Sequence, residues 1–261
     1  MQQHSNTVAR QNLLLASLPA ADRRHLLAQC EPLELTLASV LHEADEPLRH
    51  VIFPTSGLIS LITPTTGYDR MEVGLIGNEG MLGTSVVLGV ESAPVLAVVQ
   101  GAGTAWQIHT RSFHREIDRS GALQRGLKRY VHVVMTQLAQ MAVCTRFHVV
   151  EARLARWLLM TGDRSHSDDF HLTHEFLSNM LGVRRAGVTH AASALQSRNL
   201  VRYHRGDMSI LDRGGLENAA CRCYATDQET YARVMSQPGN SRRLPIGSKG
   251  HHRRPSRAIV R

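Results

Sequence analysis

The chain has few aromatic residues, few cysteines and no long apolar run. Phe, Trp and Tyr together make up 5% of its 261 residues. No apolar run approaches the roughly 18 residues that cross a bilayer, and residues 1–20 hold only a short Leu run without a secretory cleavage pattern. Four cysteines in a chain of this length do not form a disulfide framework. These absences predict a soluble, cytoplasmic protein without a membrane partner, and a hydrophobic content of 43% is enough for a folded core.

Acidic residues are missing from two segments of a chain whose net charge is +8. Residues 1–120 hold 8 basic and 12 acidic side chains, whereas residues 121–160 hold 6 basic side chains and 1 acidic side chain. Residues 182–205 contain five arginines and no carboxylate, and residues 236–261 contain seven basic residues and no acid. A basic patch in an otherwise balanced chain is typical of a polyanion-binding face, although a solvated helix face has the same composition.

Two hydrophobic periods divide the chain before residue 170. Short apolar runs separated by Gly, Pro, Asn and Ser clusters recur through residues 31–109, which predicts a small antiparallel barrel or sandwich. From Gly121 the period becomes helical, with steps of four and three residues. This spacing predicts a seam between two parallel copies of the helix, and burial of the helix along the barrel is the alternative. The seam residues are Leu127, Val131, Val134, Leu138 and Met141.

Residues 170–211 carry the most specific pattern. Thr173 precedes an apolar-periodic run and is suited to cap a helix, and Gly182 supplies the turn between two crossed helices. The second helix, from Val183 to about Ser197, has one apolar and one polar face. Residues 201–211 then read as a hairpin with a His-Arg-Gly-Asp turn. Helix, glycine turn, helix and hairpin predict a winged helix-turn-helix.

These segments resemble the Crp/FNR family of bacterial transcription regulators over about residues 20–225. The resemblance rests on VIFPTSGLIS at 51–60, GLIGNEGM at 74–81, RLARWLL at 153–159 and the whole of 172–211. It implies an α+β fold with a β-roll of the cyclic-nucleotide-binding type, a long dimerisation helix and a C-terminal winged helix. The expected divisions are a leader at 1–20, the sensor domain at 21–120, the dimerisation helix at 121–147, the DNA-binding domain at 148–225 and a basic, disordered tail at 226–261. The hinge is expected near residues 147–150.

The function that the resemblance implies is sequence-specific transcriptional regulation by a homodimer on double-stranded DNA. The β-roll would serve as a sensor for an unidentified small-molecule effector or as a scaffold. RNA polymerase is a possible further partner. The alternatives are a small-molecule sensor with weakened DNA reading and a nonspecific basic nucleic-acid binder. The predicted DNA contacts are Thr173, Arg184, Arg185, Thr189, His190, Ser193, Arg198, Arg202 and Arg205.

The recognition helix departs from the pattern of many family members, which have Arg-Glu-x-x-x-Arg at its exposed positions. The corresponding residues here are Arg185, Ala186 and His190. Arg185 is still suited to a bidentate contact with guanine, whereas Ala186 cannot accept a hydrogen bond from a cytosine amine. The operator is therefore expected to differ from the best-known half-site of the family.

Other departures concern cofactors. Residues 88–96 contain no arginine to pair with a cyclic phosphate, so cyclic AMP is not expected as effector. Glu79 is the only residue predicted for an effector pocket. Cys30 stands alone near the N-terminus, while Cys144, Cys221 and Cys223 are scattered, so neither an iron–sulfur cluster nor another metal site is expected. No Ser-His-Asp set, Walker loop or carboxylate pair is present, which predicts no catalytic residue and no enzymatic activity.

Overall fold

The N-terminal half is an antiparallel β-roll. The computed structural model describes residues 11–64, 70–165 and 167–236. Seven strands form two antiparallel sheets, in the orders β1-β7-β3 and β2-β6-β4-β5. Ile52, Ile59 and Val99 belong to the core between the sheets. The structure has strands throughout residues 31–109 as predicted, except for one helical turn at residues 84–87 that the all-β prediction missed. The strands are β1 (Glu31–Leu35), β2 (Val40–His42), β3 (His50–Pro54), β4 (Leu58–Pro64), β5 (Arg70–Ile76), β6 (Leu96–Gly101) and β7 (Gly103–His109).

Helices cover the other face of the first sheet, which explains its continuous apolar run at 51–53. Ile52 faces the second sheet, while Val51 and Phe53 on either side face a separate cluster that includes Phe113 and Leu127. A strand that is buried on both faces needs apolar residues at every position. The covering helices are α1 (Leu13–Ala16), α2 (Ala20–Leu27), α4 (Thr110–Arg119) and the first half of α5 (Gly121–Phe147); the single turn α3 (Thr84–Val87) lies between β5 and β6.

The predicted leader is in part a component of the β-roll. Asn12 caps α1 by accepting a hydrogen bond from the backbone N–H of Leu15 at 3.0 Å. Its amide nitrogen donates to the carbonyls of Pro54, at 2.9 Å, and Gly80, at 2.7 Å. Leu14 is 1% exposed. The assignment of residues 12–20 to a leader is therefore wrong, because a buried cap and a buried Leu tie this segment to the sheet; residues 1–10 lie outside the described part.

A break at His148 separates the long helix from the second half of the chain. Helix α5 spans the 27 residues Gly121–Phe147, and α6 begins at Val150. His148 adopts an extended conformation with φ −106° and ψ 142°, and its N–H still bonds to the Cys144 carbonyl at 3.1 Å. The break lies where the family resemblance predicts the hinge, although the heptad pattern itself continues through it.

The C-terminal half is helical with a three-stranded sheet of order β8-β10-β9. Its apolar residues pack around Leu158, Leu177 and Leu195, and Leu58 and Leu75 of the β-roll belong to the same cluster. The elements are α6 (Val150–Ser165), β8 (Asp169–His171), α7 (His174–Leu181), α8 (Arg185–Ser197), β9 (Val201–His204), β10 (Asp207–Ile210), α9 (Arg213–Ala219) and α10 (Cys223–Met235). The predicted fold class is confirmed. None of the helices in the described ranges is long and apolar enough to cross a membrane.

The disordered tail predicted from residue 226 begins too early. Helix α10 runs to Met235 and packs along α5. Tyr231 in this helix donates a hydrogen bond from its hydroxyl to the Glu79 carbonyl at 2.8 Å. Residues 226–235 are therefore ordered by contacts with the β-roll and the long helix. Most of the predicted basic tail, residues 237–261, lies outside the described part of the chain.

Candidate nucleic-acid interface and domain junction

Helices α7 and α8 form the predicted helix-turn-helix. Thr173 caps α7, because its Oγ1 accepts the N–H of Phe176 at 3.1 Å. Gly182 ends α7 in the left-handed region, at φ +61° and ψ 44°, where a side chain would be strained. Val188, Ala191 and Leu195 of α8 are buried against the domain core. The opposite face of α8 is consequently left in solvent.

The exposed face of α8 carries the polar residues that the sequence indicates. Arg184 occupies the N-cap and Arg185 the first helical position, and no acidic residue lies in the first turn. The Thr189 hydroxyl donates to the Arg185 carbonyl at 3.0 Å and lies 3.2 Å from Nδ1 of His174. The predicted contacts on this face are all exposed, and they are Arg184, Arg185, Thr189, His190 and Ser193.

Strands β9 and β10 form the wing. Arg205 and Gly206 connect them with φ values of +50° and +96°, the combination that a type I′ hairpin turn requires. Arg202 and Arg205 are exposed at this hairpin. Strand β8, which the sequence pattern did not reveal, pairs with the other side of β10.

Side-chain hydrogen bonds fix the wing against the two helices. Gln196 at the end of α8 accepts the backbone N–H of Tyr203 at 2.7 Å. The Tyr203 hydroxyl donates to the Leu172 carbonyl at 3.0 Å, and its ring stacks on His174 with centroids 4.7 Å apart. The wing and α8 therefore form one rigid surface.

Arg198, another predicted DNA contact, is held in an ion pair inside the chain. Its Nη1 lies 2.9 Å from Oε1 of Glu151 on α6. This ion pair orients Arg198 along α6, so a phosphate would have to compete with Glu151 for the guanidinium.

The predicted seam on α5 is only in part available to a second copy. Leu127 is 0% and Val131 8% exposed, and Leu127 packs in the core beneath the first sheet. Val134 packs against the same cluster, and Met141 is half-buried. Leu138, by contrast, is 46% exposed. The first two seam residues are thus corrected to core residues, which agrees with the alternative of a helix buried along the barrel.

A different stripe on the second half of α5 is apolar and exposed. Met135 is 63% exposed and lies one turn before Leu138, and Ala142 continues the same face. Val143 is 46% and Phe147 72% exposed further along the helix. This stripe consists of Met135, Leu138 and Ala142, and it shares Leu138 with the predicted seam. It is rotated from the rest of the seam toward solvent because Leu127 and Val131 face the sheet.

Glu79 lies at a contact between the β-roll and α6. Its Oε1 accepts the Nε–H of Arg164 on α6 at 2.7 Å, and the two side chains are 16% and 11% exposed. Next to it, the buried Tyr130 of α5 hydrogen-bonds the backbone at Met81. The carboxylate of Glu79, the residue predicted for an effector pocket, is thus bound by Arg164 and holds the β-roll against α6.

A second buried carboxylate joins the same two elements. Glu72 on β5 is 1% exposed, and it accepts hydrogen bonds from the Ser60 hydroxyl at 2.6 Å and from the Trp157 indole N–H at 2.7 Å. Burial raises the pKa of Glu72 to about 7, although the two hydrogen bonds and the charges of Arg164 and Arg156 lower it. This carboxylate changes protonation near neutral pH in the middle of the domain junction.

A third buried polar pair connects α6 to α10. Arg156 donates from Nη2 to Oδ2 of Asp227 at 2.6 Å, and both side chains are less than 10% exposed. Sequence reasoning missed Glu72, Trp157, Arg156 and Asp227, because each lies far along the chain from its partner. Trp157, Arg156 and Arg164 do share one helix, but a single helix does not reveal which carboxylates reach it.

Three of the four cysteines are brought together, which corrects their description as scattered. Cys144 near the end of α5 and Cys221 before α10 have their sulfurs 3.5 Å apart. Cys223 Sγ lies 3.4 Å from Nδ1 of His148. The expectation of no metal site rested on cysteine spacing alone. One local signal points to this cluster: Cys144 and His148 are four residues apart, a spacing that places two ligands on one helical face.

The comparisons with known proteins agree with this arrangement. Residues 152–219 match the Crp-like helix-turn-helix domain family. Similar solved structures include CLP, a c-di-GMP-responsive global regulator from Xanthomonas campestris, with a TM-score of 0.62, 13% identity, and coverage of 74% of this chain and 99% of that one. The comparison with curated proteins gave no match.

Two further structures have the same fold. A Crp/FNR-family transcriptional regulator from Thermus thermophilus has a TM-score of 0.62 and 17% identity, covering 73% of this chain and 98% of its own. FixK2 from Bradyrhizobium japonicum has a TM-score of 0.61 and 14% identity, covering 74% and 98%. Residues 152–219 therefore form a Crp-like helix-turn-helix domain, and with its β-roll and long helix the chain as a whole has the fold of these solved regulators.

Proposed function

We propose that the chain binds a specific operator as a homodimer, with α8 of each copy in the major groove and the wing beside the DNA backbone. The observation that carries this proposal is the face of α8: it is exposed and free of carboxylates, and the helix is held rigidly by the wing. A nonspecific basic binder does not need such a fixed helix. A sensor that had lost DNA reading would not need to keep this face basic.

The residues divide into those suited to base edges and those suited to phosphates. Arg185, at the first turn of α8, can make the bidentate contact with guanine O6 and N7, and Thr189 and Ser193 follow it at four-residue steps on the same face. Arg202 and Arg205 on the wing are placed for phosphate contacts, which add affinity without sequence preference. Thr173 at the start of α7 is suited to a further phosphate contact.

The dimer contact that fits the exposed surface is the stripe Met135, Leu138 and Ala142 on α5. Exposed apolar residues at helical spacing gain free energy when a second copy covers them. A parallel pair of α5 helices would place the two α8 helices on the same side of the dimer, as two half-sites one DNA turn apart require.

The β-roll would act as a sensor or as a scaffold for this dimer. Residues 88–96 offer no arginine to a cyclic phosphate, and the Glu79 carboxylate is already bound by Arg164. Cyclic AMP is therefore a poor candidate, and any effector would be of another class. RNA polymerase is a further partner for a regulator of this kind.

The experiment is a competition binding assay on an operator found by footprinting the DNA upstream of the protein's own gene. Arg185→Ala should cost about 1–3 kcal/mol on the operator and leave binding to scrambled duplex nearly unchanged. Arg202→Ala should weaken both duplexes by the same factor and reduce the salt slope by about one unit. Arg111→Ala, an exposed arginine on α4 of the β-roll, is the matched control and should change neither. Equal loss on both duplexes with Arg185→Ala would contradict base reading by this residue.

A further inference from the structure

Four potential metal ligands converge where the long helix ends. They are Cys144, His148, Cys221 and Cys223, and their ligand atoms all lie within 4.8 Å of one another. The three sulfurs come from residues that are 1%, 7% and 1% exposed in chain order. All three are free thiols in the structure. Buried cysteines usually serve as small apolar residues, but that role does not require three of them to surround a histidine nitrogen.

The distances suit one tetrahedral ion. With zinc–sulfur bonds of about 2.3 Å and zinc–nitrogen bonds of about 2.0–2.1 Å, tetrahedral angles place two sulfurs about 3.8 Å apart and a sulfur and a nitrogen about 3.6 Å apart. The Cys144–Cys221 sulfur distance is 3.5 Å, and Cys223 Sγ lies 3.4 Å from His148 Nδ1. In an iron–sulfur cluster the thiolates bind different irons around a larger core, whereas these four atoms lie close enough together to share a single ion.

The surroundings also fit a bound cation with three thiolates. Gln140 donates from Nε2 to Cys223 Sγ at 2.9 Å, the kind of outer hydrogen bond that orients a metal ligand. The charges of Arg153 and Arg156 act on Cys144 and Cys221, and they offset the net negative charge that three thiolates and one divalent ion leave. The backbone N–H of Cys221 bonds to the Ala152 carbonyl at 3.3 Å, which ties the loop that carries Cys221 to α6.

We propose that Cys144, His148, Cys221 and Cys223 form a structural zinc site. A closed set of four protein ligands without an open position is typical of structural and not catalytic zinc. Two ligands flank the end of α5, Cys221 lies between α9 and α10, and Cys223 is the first residue of α10, after the winged helix. A bound ion therefore links the hinge at residues 148–149 to the C-terminal helix and fixes the angle between α5 and α6. The proposal does not depend on DNA binding.

The first test uses the unmodified chain, purified under argon and titrated with Co²⁺ as a spectroscopic substitute for Zn²⁺. One equivalent of Co²⁺ should give the intense visible bands of tetrahedral coordination with thiolate charge transfer, and one equivalent of Zn²⁺ should displace it. No colour, or a spectrum of octahedral Co²⁺ without thiolate bands, would overturn the proposal. So would a Cys144–Cys221 disulfide detected by mass spectrometry in the chain purified under argon.

The second test compares ligand variants with a matched cysteine outside the cluster. Cys144→Ser, Cys221→Ser, Cys223→Ser and His148→Ala should each weaken Co²⁺ binding by at least about tenfold. Cys30→Ser, which removes the fourth cysteine between α2 and β1, should bind like the original chain. Unchanged affinity in the cluster variants, with circular dichroism showing that they are folded, would refute these ligands.

A third measurement stays informative when a variant folds poorly. Zn²⁺ should slow hydrogen exchange at residues 146–152 and raise the thermal midpoint of the original chain and of Cys30→Ser. Binding that leaves exchange at the hinge unchanged would show that the ion lies elsewhere, for example on the histidines of the C-terminal segment, and would overturn the proposal.

Discussion

Replacing Glu72 with Gln should remove a pH-dependent loss of stability from the domain junction. The pKa of Glu72 is about 7 in the folded chain, against an ordinary value of 4.5. Below pH 4.5 Glu72 is protonated in both the folded and the unfolded chain, so it does not lower the free energy of unfolding. Between pH 4.5 and 7 the unfolded chain loses this proton first, so the free energy of unfolding falls by about 1.4 kcal/mol per pH unit. Above pH 7 the free energy of unfolding is lower by the full amount, about 3 kcal/mol.

Gln keeps the shape and both hydrogen bonds, because its carbonyl accepts from Trp157 and its amide can donate to Ser60. The assay is urea unfolding at intervals from pH 4.5 to 8.5, followed by tryptophan fluorescence. The free energy of unfolding of Glu72→Gln, minus that of the original chain, should rise by about 3 kcal/mol across this range. Glu34→Gln, at an exposed position on β1, controls for the loss of a charge. A difference that stays constant from pH 4.5 to 8.5 would refute the assignment of a raised pKa to Glu72.

Two further predictions concern assembly and the buried ion pair. Met135→Asp should convert dimers to monomers in sedimentation, whereas Leu37→Asp, an exposed leucine in a β-roll turn, should not; a dimeric Met135→Asp would rule out the α5 stripe. Asp227→Ala leaves the Arg156 charge buried without its carboxylate and should cost about 3–5 kcal/mol in urea unfolding, and adding Arg156→Leu should recover most of this loss. Failure of the double variant to recover would mean that Arg156 stabilises the fold through contacts other than the ion pair.

Local sequence signals predicted the order of elements well. The Thr173 cap, the Gly182 turn and the Arg-Gly hairpin turn are each set by residues a few positions apart, and all three occur as expected. The hinge at His148, by contrast, could not be located from local sequence signals. The heptad spacing continues through it, and only the family resemblance located the break, because the interruption depends on packing against distant elements.

Predictions of which surface a side chain faces were less successful. The period of α5 correctly identified an apolar helix, but period cannot distinguish a face covered by the same chain from one covered by a second copy. Leu127 was therefore assigned to the seam although the sheet covers it. The sequence did not reveal the contacts of Glu79 and of the three clustered cysteines for the related reason that their partners lie 70 or more residues away, at Arg164 and across α5 and α10.

The apolar cluster around α6 has a consequence for how such proteins can be recombined. Leu58 and Leu75 of the β-roll share this cluster with Leu158 and Leu177, and Trp157 donates its N–H to Glu72 across the same boundary. The hinge therefore marks a change in chain direction and not a division of the core. A chimera that joins this β-roll to a foreign DNA-binding domain at residue 148 would bring together apolar surfaces that do not match. A chimera that carries the facing positions of β4 and β5 along with α6 keeps this apolar cluster intact. In this chain, the exchangeable unit is larger than the helix-turn-helix.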